Sequence, residues 1–176
     1  MPYKYNKNIL IKKNVFTFDT LIHYYYGYNM IKQFTDYRGD FTIFNAKECD
    51  QVNIVSNTQI YTFRGLHYQT DPAQIKTVKV IQGKVLDILY NLKTKTVDFY
   101  VLDKFSNPLY INQDYAHGYL TLERNTIFTY GVEGEYNPES EHSIVWDSVP
   151  QVKEVIMSHI KNVNNLVISE KDKKGK

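Results

Sequence analysis

Arg64-Gly65-Leu66-His67-Tyr68-Gln69, followed by Pro72-Ala73-Gln74-Ile75-Lys76, gathers a guanidinium, an imidazole, a primary amide and an ammonium into one short segment of strand-forming residues. Successive side chains on a strand alternate faces, so Arg64, Leu66 and Tyr68 are expected to point one way and Gly65, His67 and Gln69 the other. That alternation aims a histidine at one face with a glutamine beside it. Set in a barrel-like fold, the segment offers a titratable imidazole and cations suited to a phosphate or an enolate oxygen.

Short segments of strand character recur on either side of it. They are Asn53 to Val55, Ile60 to Arg64, Lys76 to Ile81, Lys84 to Asn91, Phe99 to Phe105, Pro108 to Ile111, Gly118 to Leu122 and Thr126 to Val132. Turn residues such as Gln82-Gly83, Ser106-Asn107 and Arg124-Asn125 separate them, a spacing that argues for a sandwich or barrel. Val78, Val80, Val85, Asp87 and Leu89 alternate with Lys79, Lys84 and Tyr90, the pattern of a sheet with one face inward. Gly83 falls where a tight turn would join two strands. Tyrosine at 16 residues and phenylalanine at 9 reinforce the β class, and core packing accounts for them more readily than stacking on a sugar or base.

The ends read differently. Asp19 to Phe34 is compatible with a short helix or with two strands broken at Gly27. Val152, Val155, Ile156, His159 and Ile160 fall at helical spacing, with Pro150 expected to limit the helix.

At 176 residues the chain is expected to form a single domain, 1–176. Its 21 basic and 19 acidic residues leave a net charge of +2, and the excess collects at Lys171, Lys173, Lys174 and Lys176, so nucleic acid is not an expected partner. The one cysteine, Cys49, excludes an internal disulfide and a cysteine-based zinc site and fits a reducing compartment. No apolar run approaches the ~20 residues that span a bilayer, and the expectation is a cytoplasmic protein without a membrane partner.

Five histidines are present, His23, His67, His117, His142 and His159, and none forms a His-x-His pair, so a metal site is disfavoured. His117 lies in Asp114-Tyr115-Ala116-His117-Gly118-Tyr119, read as a turn opening into a strand. There its small neighbours would admit a ligand, or the imidazole would be satisfied by backbone. If His67 is a base, its other ring nitrogen needs an acceptor to hold one tautomer. Asp87, inside an apolar strand, and Asp172, near the C-terminus, are both candidates, and composition does not separate them. Tyr130 is a possible general acid, although a strand tyrosine is more often core.

Several elements then occur in the order and near the spacing of a known family: Arg64 to Gln69, Ala73-Gln74-x-Lys76, Gly83-x-Val85-x-Asp87, Ala116-His117-Gly118-Tyr119, Phe128-x-Tyr130, Tyr136-x-Pro138-x-x-Glu141, Ile144-x-Trp146 and Ser169-Glu170-Lys171-Asp172. Over about residues 36 to 172 the chain resembles the dTDP-4-dehydrorhamnose 3,5-epimerase family. Asp36-Tyr37-Arg38-Gly39 resembles that family's early Asp-x-Arg-Gly element. The resemblance implies a mainly β, cupin-type jelly-roll barrel with short peripheral helices, acting as a homodimer on a nucleotide sugar without metal or organic cofactor. It assigns His67 as the base, Asp172 as its partner, Tyr130 as the acid and Lys76 to the ketone oxygen. His117, Arg64, Gln69 and Arg38 fall on substrate-binding positions.

There are departures. Proline and glycine are missing from Ile111-Asn112-Gln113-Asp114, and the carboxylate expected at the end of one strand is an amide, Asn91. The implied reaction is epimerisation at C3 and C5 of a nucleotide-linked 4-keto-6-deoxy sugar. Alternatives are a C3-only epimerase of a related nucleotide sugar, such as a GDP-linked heptose, and a non-catalytic sugar-nucleotide-binding jelly roll.

Overall fold

The computed structural model describes residues 32–36, 39–43 and 49–175, which fall into two compact units, Met1–Asn45 and Ala46–Lys176. In the first unit, β1 (Lys32–Asp36) and β2 (Gly39–Ile43) form an antiparallel pair with Lys32 opposite Ile43 and Asp36 opposite Gly39. Arg38 lies outside the described residues, as does most of the Asp19 to Phe34 segment.

In the second unit the strands are β3 (Gln51–Asn57), β4 (Phe63–Gln69), β5 (Ile75–Gln82), β6 (Lys84–Asn91), β7 (Val97–Asp103), β8 (Leu109–Ile111), β9 (Tyr115–Thr121), β10 (Thr126–Glu133) and β11 (Glu141–Ser143). They make two antiparallel sheets, ordered β3-β10-β5-β8 and β11-β4-β9-β6-β7. From β3 onward, only the β6–β7 connection stays within one sheet; every other connection crosses to the opposite one. Gly83 makes one such crossing, from β5 to β6, at φ +80 and against the Thr126 side chain, where a Cβ has no room.

The alternation read on β5 and β6 is that of the barrel. Val78, Val80, Ile111 and Phe128 of the four-stranded sheet meet Val85, Leu89, Leu102 and Tyr119 of the five-stranded sheet in an inner core. The intervening residues on β6, Leu86 and Ile88, face outward with Phe63, Leu66 and Leu120. They are covered by α1 (Pro150–Ile160) through Val152, Ile156 and Ile160, and by Trp146. Each of these fully buried side chains contributes roughly 1.5–3 kcal/mol relative to exposure. Pro150 does not shorten α1. It occupies the first turn, where a missing N–H is lost from no helical hydrogen bond, and the helix stops at Lys161, at φ 61.

β4 begins later than the Ile60 to Arg64 segment predicts, because Tyr61 takes a left-handed φ of 62 and interrupts the extended chain. The mainly β architecture with short peripheral helices is as expected from the sequence.

Candidate active site

The pairing of β4 with β9 runs Phe63 opposite Leu120 and Arg64 opposite Tyr119, then slips to His67 opposite His117. Three steps on β4 match two on β9, which is a bulge carrying one extra residue. Gly65, at φ +138, makes it possible: its Cα packs against Gly118, and a Cβ at either glycine would strike backbone of the other strand. The consequence corrects the strict alternation. Arg64 does not share a face with Leu66; Arg64 and His67 both lie on the inner face, opposite Tyr119 and His117, while Leu66 joins the outer core.

Two rows of side chains therefore cross the inner face. One runs Arg64, Tyr119, Asp87 and Tyr100; the next runs Ser143, His67, His117 and Leu89.

His67 Nε2 lies 2.7 Å from Asp172 Oδ1. The C-terminal segment reaches this point because it is laid along the start of β4. Phe63 N–H donates to the Val167 carbonyl at 2.8 Å and Val167 N–H to the Tyr61 carbonyl at 2.9 Å, while Leu166 and Ile168 pack on the outer core. A short helix, α2 (Glu170–Lys174), follows, and the Ser169 hydroxyl caps it by accepting from Asp172 N–H. Burial pushes the Asp172 carboxyl up, but hydrogen bonds from His67, Ser169 and the Gly65 backbone outweigh burial and hold it below the usual carboxylate range. An ionised carboxylate only accepts, so Nε2 carries the proton and Nδ1 keeps the lone pair.

The two carboxylates that composition left open are thus separated by geometry. Asp172 pairs with His67, and Asp87 Oδ2 pairs with His117 Nε2 at 2.9 Å. His117 sits within β9 and not in a turn; it is buried, satisfied by a side-chain carboxylate, and stacked on Phe128. The space at Gly118 is filled by Arg64 and Gly65 backbone and does not admit a ligand.

Lys76 on β5 and Tyr130 on β10 come from the opposite sheet. Burial lowers the Lys76 ammonium below its ordinary range, with Glu141 and Asp87 acting the other way. Burial raises the Tyr130 phenol; Arg64 opposes that shift and Glu141 adds to it. Lys76 pairs with Ile111 and Tyr130 with Val78, both inner-core residues, and Tyr130 packs against that core, so the two lie on the inner face of their sheet as His67 does on its own.

Glu141 itself, opposite Gln69 in the β11–β4 pair, accepts from Lys171 Nζ at 2.8 Å and from the Tyr136 hydroxyl at 3.1 Å. Glu141 stands in the Tyr136-x-Pro138-x-x-Glu141 motif, whose sequence alone assigns it no role. Asn57 was missed altogether: its Oδ1 accepts from Arg64 Nε at 3.1 Å, and its amide meets the Tyr119 hydroxyl at 3.3 Å. Tyr119, buried in that network, is pushed up to about 12 by burial.

Gln69 is buried with its amide committed to backbone. It donates to the Pro72 and Glu135 carbonyls at 2.6 and 2.8 Å and accepts from Asn137 N–H at 2.9 Å, pinning two loops beside β4. Among the described residues, no three His, Cys, Asp or Glu side chains cluster so as to hold a metal ion, and no helix is long and apolar enough to cross a membrane. The inner face therefore carries an imidazole with a buried carboxylate behind it, and facing strands supply an ammonium and a phenol.

The family model described as dTDP-4-dehydrorhamnose 3,5-epimerase matches residues 28–176. A protein of that name from Methanothermobacter thermautotrophicus is 34% identical over 120 residues, covering 64% of this chain and 63% of its own length. One from Sinorhizobium fredii is 30% identical over 129 residues, covering 69% and 64%. The chain thus spans a little under two thirds of the length of these curated relatives.

Among solved structures, dTDP-4-dehydrorhamnose 3,5-epimerase from Bacillus anthracis, with TDP and PPi bound, superposes with a TM-score of 0.67 at 28% identity, covering 82% of this chain and 89% of that one. The dTDP-6-deoxy-D-glucose-3,5-epimerase of Legionella pneumophila, in complex with dTDP-4-keto-L-rhamnose, gives a TM-score of 0.66 at 28% identity, covering 81% of each chain.

Proposed function

The chain belongs to the dTDP-4-dehydrorhamnose 3,5-epimerase family, and from that premise we propose that it inverts C3 and C5 of a dTDP-linked 4-keto-6-deoxy sugar. His67 Nδ1 removes the proton from the carbon next to the C4 ketone. The C–H electron pair moves into the ring and onto O4, giving an enolate. The Lys76 ammonium offsets the charge that develops on O4, and Asp172 stabilises the imidazolium that forms at the same moment. Tyr130 then donates its phenolic proton to the opposite face of the same carbon. Solvent returns a proton to Tyr130 and takes one from His67, so the sugar is inverted with a solvent-derived hydrogen.

The observation that carries this reading is the 2.7 Å hydrogen bond between His67 and the buried Asp172. A module that only bound nucleotide sugar would have no use for a base oriented in this way. Arg64, His117 and Gln69 complete the proposal on the substrate side, Arg64 by contact with the diphosphate and Gln69 by shaping the loops beside β4. The dTDP moiety is proposed from the ligands named for the Bacillus anthracis and Legionella pneumophila proteins. A homodimer working in the cytoplasm is part of the same proposal and rests on family membership.

The test is incubation with dTDP-4-keto-6-deoxyglucose in deuterium oxide, read by NMR. Deuterium at both C3 and C5, with inverted product, is the expected result. Label at C3 alone would reduce the activity to a single epimerisation, and no label at either carbon would remove the enzyme reading.

A further inference from the structure

Asn57 closes β3 and lies opposite Thr126 of β10, in the four-stranded sheet. Arg64 belongs to the five-stranded sheet, so the 3.1 Å bond from Arg64 Nε to Asn57 Oδ1 crosses from one sheet to the other. The ends of this amide cannot be exchanged. Oδ1 faces a guanidinium N–H, which only donates, and Nδ2 faces the Thr126 carbonyl at 3.3 Å, which only accepts. The Tyr119 hydroxyl meets both ends, 3.3 Å from Nδ2 and 3.4 Å from Oδ1. Asn57 and Tyr119 are buried, whereas Arg64 is exposed. A buried group of fixed orientation thus holds one nitrogen of a cation that faces outward from it.

Tying the two sheets together does not account for the rest of the guanidinium. Its Nη groups meet no acceptor among the described residues, and no carboxylate there pairs with it. Which nitrogen is held decides what Arg64 can bind. A guanidinium grips two oxygens either side-on, through Nε and one Nη, or end-on, through both Nη groups. With Nε committed to Asn57, the end-on grip is the one left.

Resting on the epimerase reading of this pocket, we propose that Asn57 is a positioning residue for Arg64: it fixes the plane of the guanidinium and presents the Nη pair end-on to the oxygens of the substrate diphosphate. A fork held in advance loses less conformational freedom when the ligand arrives. The row that carries Arg64 and Tyr119 adjoins the row that carries His67, so a diphosphate gripped there keeps the attached sugar near the base.

The test is a double-mutant cycle on the full chain, with dTDP as the probe and calorimetry as the readout. Asn57→Ala is expected to weaken dTDP by about 10-fold when Arg64 is present and by less than about 2-fold in the Arg64→Ala background, because the amide acts through the guanidinium. With the sugar substrate KM should rise while kcat stays near wild type, since a grip on the diphosphate is the same in ground and transition states. Equal weakening in both backgrounds overturns the proposal. So does unchanged affinity with a lowered melting temperature, which would leave Asn57 as a tie between sheets.

If Asn57→Ala fails to fold, wild-type protein carrying ¹⁵N-labelled arginine decides the question. The Arg64 Nε–H resonance, assigned by its loss in Arg64→Lys, should be protected from solvent exchange and hold its position as dTDP is added, while the Nη signals move. A large shift at Nε would show the side chain leaving Asn57 to bind side-on, and the proposal would fall. Binding of dTDP is read without turnover. A wild-type protein that shows the coupling and epimerises no dTDP-linked 4-keto sugar would sink the epimerase reading alone, whereas one that does not bind dTDP overturns the role of Asn57 whatever the turnover assay shows.

Discussion

Asp172 Oδ1 and His67 Nε2 meet at 2.7 Å although the two residues are 105 positions apart. The contact is made by a five-residue terminal helix docked on the strand that carries the histidine, and not by a neighbouring loop. A histidine held this way has one tautomer and one free lone pair. His67→Asn keeps a polar side chain of similar size and removes the base. Solvent exchange at the reacting carbon is expected to fall by about 10²-fold or more. Near-normal deuterium incorporation in a folded variant would dismiss His67 as the base.

The same contact has a pH signature. Asp172 titrates below its unfolded value of about 3.9. A depressed carboxylate contributes stability that is fully present above the unfolded value and lost as pH falls through the folded one. Asp172→Asn should therefore be less stable than wild type at pH 7, and the gap should narrow at a pH below the unfolded value of about 3.9. Urea midpoints at the two pH values measure it. A gap that stays constant would mean that the side chain contributes by shape alone.

Gly65 tests the bulge. Alanine there must adopt φ +138 and place its Cβ on the backbone of Gly118. Strain of this kind costs about 1–3 kcal/mol before the collision is counted. Gly65→Ala is expected to lower the melting temperature by at least about 4 °C and to reduce exchange further than the stability loss accounts for, since His67 would lose its aim. Wild-type melting and turnover would show that the strand tolerates regular alternation.

Much of this was legible in the sequence because alternation on β5 and β6 is a local property: Val78, Val80, Val85 and Leu89 face the inner core as their spacing predicts. The bulge was not legible. Period-two reasoning placed Arg64 with Leu66, and only the close approach of Gly65 to Gly118, on a strand far away in sequence, returns Arg64 to the inner face. Partner choice was hidden for the same reason. Asp87 and Asp172 are equally plausible from composition, and it is the laying of Val167 along β4 that delivers one to His67, while the β6–β9 register delivers the other to His117.

The amide at Asn91 proved a smaller departure than it looked. Its Oδ1 accepts from Lys93 and Thr94 N–H, each at 2.9 Å, as a carboxylate would at that turn. Asn57 left no local signal, since its value depends on Arg64 and Tyr119 arriving from other strands.

In the proposed mechanism Tyr130 decides the stereochemical outcome. Burial raises its phenol, with the Glu141 charge adding to the shift against the opposing Arg64, so the group is protonated at neutral pH and able to donate. It lies on β10, in the sheet opposite His67, as the two faces of a sugar ring require. Tyr130→Phe keeps the ring packed against Phe128 and removes only the donor. Deprotonation should survive, because the base and the Lys76 charge are untouched, and deuterium should still enter from the His67 face. Inversion should slow by about 10²-fold, the usual size of a lost general acid. Measuring exchange and inversion in one deuterium oxide time course separates the two steps. If both proceed at the wild-type rate, the proton comes from water or another side chain, and Tyr130 serves the pocket by packing.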